Sequence, residues 1–134
     1  MPTHTFPFVI PYPGEPARPY VPVKITNPST GRSIETYALV DTGADECALP
    51  ASFATLLDHD LKKGERKEIR TGNGAAVAYG HTTTIEMLGF STGEAAIDYM
   101  PNLVTPLLGV RSFLAHFVVV LDYPGKTVAF EMPG

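Results

Sequence analysis

The 134 residues correspond to one domain, long enough to bury a core without disulfides or a structural metal. A hydrophobic content of 44% with 18% charged residues is typical of a folded globular chain rather than a disordered one. Ten basic and fourteen acidic side chains give a net charge of −4, which argues against a protein that binds nucleic acid through a basic face.

Cys47 is the single cysteine, so neither an intrachain disulfide nor a cysteine-based metal cage can form. One thiol fits a reducing compartment. No apolar run approaches the roughly 20 residues needed to cross a bilayer. We therefore expect a soluble, cytoplasmic protein with no membrane partner.

The first twenty residues contain six prolines. Because proline has no backbone N–H, this segment cannot donate regularly to a β-ladder, and we expect an extended arm or an edge strand. The sequence therefore predicts a proline-rich N-terminal arm over residues 1–20 and a folded domain over residues 21–134.

The first elements of the domain are a hairpin and a short helix. Residues 21–27 and 33–40 predict two strands joined by a turn at 27–31, and residues 51–57 show helical spacing of apolar side chains. Residues 62–70 contain five basic and two acidic residues, which predicts a solvated loop or an exposed strand edge. Nucleic-acid binding by this run is disfavoured by the acidic overall balance and the lack of interleaved aromatic residues.

The second half of the chain predicts further short strands. They are a hairpin over 68–71 and 75–79 with Asn-Gly supplying positive-φ turn residues, strands over 82–88, 95–100 and 103–108, one or two helical turns over 111–116, and a closing hairpin over 117–121 and 127–131. Twelve glycines and thirteen prolines punctuate these segments. The fold class expected is all-β with one or two short helices.

The most informative segment is Asp41-Thr42-Gly43, which follows three apolar strand residues. A carboxylate that leaves a buried strand must be hydrogen-bonded, paired or functional. Thr42 can donate and accept hydrogen bonds locally, and Gly43 allows another backbone to approach. The alternative is a plain strand-to-turn junction, since Asp and Gly are favoured in turns.

The segment from Ala38 to Pro50 closely resembles the active-site loop of the retropepsin-like aspartic proteases, in which apolar residues precede Asp-Thr-Gly-Ala-Asp. A second anchor, Pro106-Leu107-Leu108-Gly109, is similar to the apolar pair and glycine that precede a short helix in that family. The similarity covers roughly residues 20–132.

This resemblance implies a closed barrel and an endopeptidase that works without a metal or another cofactor. The catalytic residues would be Asp41, Thr42 and Gly43, and Gly43, Ala44 and Asp45 would meet the backbone of a peptide or protein substrate. Two carboxylates about 3 Å apart share one proton, so that one activates a water while the other donates to the scissile carbonyl. The chain has one Asp-Thr-Gly, so a homodimer must supply the second Asp41.

The resemblance also implies a hairpin flap that closes over the substrate, for which residues 69–80 are the candidate. The predicted substrate-binding residues there are Gly72, Asn73 and Gly74 at the tip, together with Tyr79. An ordinary surface hairpin is the alternative, and Tyr79 would then pack against the domain.

Two features depart from the viral members of the family. In those members an arginine directly follows the glycine and pairs with the acidic residue two positions after the motif glycine, whereas here Val110 separates Gly109 from Arg111, so both the presence and the absence of an Asp45–Arg111 pair stay open. The proline-rich arm also differs from the short terminal strand that interleaves at viral dimer interfaces, so the way in which the dimer is held together is open. A non-catalytic peptide-binding or protein-binding module on the same fold is the alternative function, because fold does not fix activity.

The remaining chemistry-bearing residues give weaker signals. The four histidines lack the spacing of metal ligands, so no metal site is expected. Cys47, which has no positioned histidine, is expected to be a buried apolar residue rather than a nucleophile.

Overall fold

The computed structural model describes residues 3–132, apart from the side chain of Thr71. This part of the chain forms eleven strands, one α-helix and two 3₁₀ helices. The strands are β1 Thr3–Pro7, β2 Tyr20–Thr26, β3 Ser33–Val40, β4 Ala48–Pro50, β5 Glu65–Thr71, β6 Gly74–Met87, β7 Phe90–Ser91, β8 Ala95–Met100, β9 Leu107–Leu108, β10 Val118–Asp122 and β11 Thr127–Glu131. Helix α1 is Ser52–Leu56, and the 3₁₀ helices are Leu61–Lys63 and Leu114–His116.

The larger sheet closes on itself as a barrel. Its strand order is β2-β3-β9-β4-β8-β6-β5, and a further antiparallel pairing of β2 with β6 joins the two sides. In that pairing Lys24, Ile25 and Thr26 lie opposite Glu86, Ile85 and Thr84. The closed barrel of short strands is therefore confirmed. β5 lies outside the closure as an edge strand, as expected for the charged run 62–70.

The core lies inside this barrel because alternate residues of each strand project inward. Val21, Val23 and Ile25 of β2 are buried while Pro22 and Lys24 are exposed. The largest fully buried side chains are Tyr99, Phe113, Phe130, Ile25, Leu49, Leu57, Ile85, Ile97 and Leu108. No helix in the described range has the length and apolar character needed to cross a membrane.

The N-terminal arm contributes an edge strand. β1 pairs antiparallel with β11, which pairs with β10 on its other side, to give a three-stranded sheet. A bridge between Val9 and Arg18 then folds the arm back towards the start of β2. The expectation of an edge strand in the proline-rich segment is confirmed, since among the strands of residues 3–132 β1 pairs with β11 alone.

Two local predictions were wrong in extent. Residues 103–108 were expected to form a buried strand, but only Leu107–Leu108 do, and Val104 is 81% exposed. Pro106 has no N–H to donate, and its carbonyl accepts from Leu39 instead. The expected helical turns over 111–116 reduce to the 3₁₀ helix Leu114–His116.

The hairpin that contains Gly72 also differs in detail. Its two-residue loop is Gly72-Asn73, and Thr71 pairs with Gly74. Asn73 does not adopt positive φ, and Gly74 does, at +114°. The segments predicted over 75–79 and 82–88 are continuous as β6, because this strand pairs in turn with β5, β8 and β2.

Candidate active site

The loop that follows β3 holds Asp41 by its backbone and by its own carboxylate. The Asp41 N–H donates to the carbonyl of Leu108 (3.1 Å), and the Ala44 N–H donates to the Asp41 carbonyl (3.1 Å). The Gly43 N–H donates to Asp41 Oδ1 at 3.0 Å. Asp41 Oδ2 has no hydrogen bond or ion pair to the residues described, so one carboxylate oxygen is free to bind a reacting group.

A second segment supports this loop from behind. The N–H of Val110 donates to the Ala44 carbonyl and the N–H of Arg111 to the Asp45 carbonyl, both at 2.8 Å. Gly109, which precedes them, is buried against the backbone of Glu46. The Asp-Thr-Gly loop and the Leu-Leu-Gly segment therefore form one hydrogen-bonded unit.

Arg111 also binds the loop through its side chain. Its Nη2 lies 3.5 Å from Asp45 Oδ2 and its Nε lies 3.1 Å from Glu46 Oε1. The extra residue Val110 therefore does not prevent the Asp45–Arg111 pair. All three side chains are largely exposed, so the pairs add less than about 1 kcal/mol each and chiefly orient the loop.

Cys47 lies beneath the loop and is 1% exposed. Its N–H donates to Ser112 Oγ (3.0 Å), and its Sγ accepts from the Gly109 N–H (3.4 Å) and from Ser112 Oγ (3.2 Å). Burial raises the pKa of the thiol, and the bonds from Ser112 and Gly109 only partly oppose this effect. The expectation that Cys47 is a buried apolar residue is confirmed, and Ser112 is a supporting residue that the sequence did not reveal.

The hairpin of β5 and β6 borders a cavity of about 710 Å³. The opposite wall is the turn after β8, at residues 100–103. This turn leads into β9, whose Leu108 carbonyl binds the Asp41 backbone, so one continuous segment connects the cavity with the Asp41 loop. The lining residues are Asn73, Ala75, Ala76, Val77, Tyr79, Met100, Pro101, Asn102 and Leu103.

The structure thus gathers the predicted site residues into two groups. Asp41, Thr42, Gly43, Ala44 and Asp45 share the loop after β3, where Thr42, Gly43 and Asp45 are exposed. Gly72, Asn73, Gly74 and Tyr79 share the hairpin, and Asn73 and Tyr79 line the cavity while no residue of the Asp41 loop does. The turn at 100–103 was not predicted as part of the site, although Pro101 and Asn102 are residue types favoured in turns.

Within residues 3–132 no three His, Cys, Asp or Glu side chains come together as a metal site. His59 and His81 do approach each other, with ring centroids 4.5 Å apart. His81 Nε2 lies 2.8 Å from the Leu61 carbonyl, which indicates a hydrogen bond within the fold. Burial, together with the charge of His81, lowers the pKa of His59.

A comparison with known protein families shows the family to which this chain belongs. Residues 31–116, which include both the Asp41 loop and Gly109, match the family described as "gag-polyprotein putative aspartyl protease". This chain belongs to that aspartyl protease family. No curated protein sequence matches the chain significantly.

Three solved structures have folds similar to that of this chain. A retropepsin-like aspartic protease from Rickettsia conorii superimposes with a TM-score of 0.67 at 20% identity, covering 96% of this chain and 98% of that one. The EIAV protease complexed with the inhibitor HBY-793 gives 0.52 at 22% identity, covering 73% and 86%. The retroviral protease-like domain of Ddi1 from Leishmania major gives 0.56 at 16% identity, covering 87% and 94%. At these identities the likeness establishes the retropepsin fold.

Proposed function

We propose that this protein is an aspartic endopeptidase that hydrolyses peptide bonds as a homodimer, with one Asp41 from each chain. The observation that carries the proposal is the Asp41 carboxylate, which is fixed on one side by the Gly43 N–H and free on the other. The family affiliation supports the same chemistry.

The dimer follows from the number of carboxylates that the reaction needs. One carboxylate must accept a proton from water while another donates to the scissile carbonyl, and the sequence has one Asp-Thr-Gly. Thr42 and Gly43 are exposed at the tip of the loop, where a second copy has access to them. A two-fold axis beside this tip would bring the two Asp41 carboxylates into contact.

In such a pair the two Asp41 carboxylates share one proton, because two negative charges about 3 Å apart repel too strongly for both to ionise. The ionised carboxylate removes a proton from the bound water as it attacks the carbonyl carbon. The protonated carboxyl donates its proton to the carbonyl oxygen. When the C–N bond breaks, a proton from the carboxylate pair is transferred to the nitrogen of the leaving amine. No metal or organic cofactor takes part.

The β5–β6 hairpin would act as the flap over the peptide. An extended substrate would add strand-like hydrogen bonds between this hairpin and the loop residues Gly43, Ala44 and Asp45. Gly72, Asn73 and Gly74 would form the closing tip, and Tyr79 would form part of the wall. Most of the residues that line the cavity are apolar, Ala75 and Leu103 among them, and such a lining suits uncharged side chains of the substrate.

Cleavage of a mixed peptide library, read by mass spectrometry between about pH 4 and pH 7, tests the proposal. Wild type and Asp41→Asn are compared, with the oligomeric state of each measured by light scattering. We expect cleavage by the wild type alone, with both proteins dimeric at the assay concentration.

Cleavage that persists in Asp41→Asn would refute the assigned role of Asp41. A folded wild type that binds peptides but cuts none at any pH in this range would favour the non-catalytic binding module. Cleavage by a strictly monomeric wild type would refute the shared pair of carboxylates.

A further inference from the structure

Asn73 directly precedes Gly74 at the tip of the β5–β6 hairpin. The pairing of Thr71 with Gly74 closes the loop, so Gly72 and Asn73 form its two-residue turn. Gly72, Asn73, Gly74 and Ala75 are all exposed. The Asn73 side chain and the peptide bond that follows it therefore lie in a segment that water reaches.

An asparagine that precedes a glycine can react with its own backbone. The backbone nitrogen of the glycine loses its proton and attacks the side-chain amide carbon, which closes a five-membered succinimide ring and expels ammonia. Water then opens the ring at either carbonyl, and the product is an aspartate or an iso-aspartate, whose chain continues through the former side-chain carbon. Water is the only other reactant. Glycine favours the ring closure because it has no side chain to hinder the attacking nitrogen.

The turn itself requires the glycine that makes Asn73 reactive. Gly74 has a φ of +114°, in a region that residues with a Cβ rarely adopt. Beyond the chain neighbours, a Cβ placed at Gly72 or at Gly74 would have no atom within 4 Å, so the space beside both glycines is open. The hairpin geometry therefore maintains an unhindered backbone nitrogen immediately after Asn73.

The other two asparagines of the chain lack this combination. Asn27 is 2% exposed, and its Nδ2 donates to the Leu57 carbonyl at 2.7 Å. The residue after Asn27 is Pro28, whose nitrogen has no proton to lose. Asn102 is exposed, but the branched side chain of Leu103 crowds the nitrogen that would attack. Asn102 therefore provides an internal reference for exposure without glycine.

We propose that Asn73 is a site of spontaneous deamidation and that its iso-aspartate product disables the hairpin as a flap. The first part depends only on the chemistry of the turn. The second part rests on the proposed function, since it assigns a consequence to the hairpin that would cover the peptide. The modification would limit the working life of each molecule.

The products alter the hairpin in two ways. Both place a new carboxylate on the wall of a cavity whose lining residues are all uncharged. The iso-aspartate also adds one carbon to the backbone between positions 73 and 74. Because the length of a hairpin loop fixes the register of its strands, this extra atom disturbs the pairing of Thr71 with Gly74. A hairpin modified in this way would close less well on a peptide.

Prolonged incubation of the full chain, followed by peptide mapping with mass spectrometry, tests the modification. The measured quantity is the modified fraction at each of the three asparagines. We expect aspartate and iso-aspartate to accumulate at Asn73, faster at mildly alkaline than at mildly acidic pH, because the attacking nitrogen must lose its proton. Asn27 and Asn102 should keep their amides over the same period. A modified fraction at Asn73 no larger than that at Asn102 would overturn the proposal.

Two variants at the same position separate the steps. Asn73→Gln has a longer side chain that would have to close a six-membered ring, which forms more slowly, so this variant should stay unmodified. Modification of Asn73→Gln at the wild-type rate would refute the succinimide route. Asn73→Asp carries the new carboxylate without the extra backbone carbon, so it distinguishes the effect of charge from that of the altered chain.

Peptide cleavage by fresh and incubated samples tests the effect on the flap. In the wild type kcat/KM should fall in proportion to the iso-aspartate fraction, whereas Asn73→Gln should keep its own initial value. Cleavage that depends on Asp41 and stays constant while iso-aspartate accumulates would refute the loss of the flap and leave the proposed function intact.

Hydrogen exchange keeps this second part testable if no peptide is cut. The backbone amides of residues 65–80 should exchange faster in the incubated wild type than in the fresh protein, because the altered turn no longer holds β5 and β6 in register. Asn73→Asp and incubated Asn73→Gln should each exchange as their fresh samples do. Unchanged exchange in a wild type rich in iso-aspartate would refute the disabled hairpin, whatever the catalytic result.

Discussion

The backbone of Gly109 lies directly against the backbone of Glu46. A Cβ added at position 109 would stand 2.7 Å from the Glu46 Cα and still closer to its carbonyl group. This contact joins the segment after β9 to the loop that holds Asp41, and only glycine leaves enough room for it.

Replacement of Gly109 by Ala should therefore displace the Asp41 loop. We expect a loss of stability of about 2–4 kcal/mol, since neither backbone can yield without breaking the bonds of Val110 and Arg111 to the loop. Peptide cleavage should fall at least as steeply. Urea unfolding and the peptide assay measure the two effects.

Gly80→Ala is the control, because a Cβ at position 80 would make ordinary contacts of 3.8 Å and 3.9 Å with Glu65. It should change stability by less than about 1 kcal/mol. Equal behaviour of the two variants would show that the loop can shift without cost.

The parts of the fold that sequence predicted well depend on local signals. Alternation in β2 and β3, with the turn from Asn27 to Gly31 between them, specifies a hairpin because every determinant lies within about twenty residues. The Asp41 loop was identified because its motif is short and contiguous. In the structure Asn27 accounts for the turn, since its carbonyl accepts from Thr30 and Gly31.

The parts that sequence missed depend on contacts between distant segments. The pairing of β1 with β11 and the closure of β2 on β6 join strands whose partners no local pattern identifies. Apolar composition also failed to distinguish buried from exposed residues around Val104. Residues in a turn show no regular alternation of apolar and polar side chains, so the sequence does not indicate which of them are buried. The cavity wall at residues 100–103 was missed for the same reason.

The close contact between the rings of His59 and His81 predicts a pH dependence of stability. The pKa of His59 is lowered in the folded protein by burial and by His81. At a pH below the ordinary histidine pKa of about 6.5, the unfolded chain therefore binds a proton at His59 more readily than the folded chain does. The stabilisation is complete above that pH and is lost as the pH falls, so the free energy of unfolding should decrease between pH 7 and pH 5.

The variant His59→Phe tests this origin. Because the ring of His59 is only partly buried, we expect its share of the decrease to be under about 1 kcal/mol. The dependence on pH should become shallower in His59→Phe, as measured by urea unfolding at each pH. His4→Phe, which alters an exposed residue of β1, should keep the wild-type slope. An identical slope in all three proteins would contradict the assignment.

Cys47 should react with thiol reagents only when the domain opens. Burial raises the pKa of its thiol, which keeps the reactive thiolate scarce near neutral pH, and the side chain is 1% exposed. Labelling of the native protein should be slower than labelling in denaturant by at least about a hundredfold. Stopped-flow absorbance with an aromatic disulfide measures both rates.

The raised pKa of the Cys47 thiol also determines whether stability rises or falls at alkaline pH. Because the folded state keeps the Cys47 proton to a higher pH than the unfolded state does, its contribution to stability is complete below the ordinary thiol pKa. It declines as the pH rises above that value. In Cys47→Ala this part of the alkaline decline should be absent. Fast native labelling at pH 7 would refute the picture of a sealed thiol.

Lys67 and Asp98 provide the sharpest test of how the hairpin is fixed to the barrel. Asp98 is buried, and Lys67 from β5 is the one partner that the described residues give its Oδ1, at 2.9 Å. Lys67→Met should cost about 1–3 kcal/mol, because a buried carboxylate is left without a partner. The looser hairpin should also raise KM for peptides more than it lowers kcat.

Two further variants separate this pair from a general effect of charge. Lys63→Met removes a lysine whose contact with Asp60 spans 4.0 Å between exposed side chains, and it should change stability by less than about 0.5 kcal/mol. Asp98→Asn combined with Lys67→Met should be more stable than the sum of the two single losses, because no unpaired charge is then buried. Additive losses in that double-mutant cycle, measured by urea unfolding, would show that the ion pair does not couple β5 to β8.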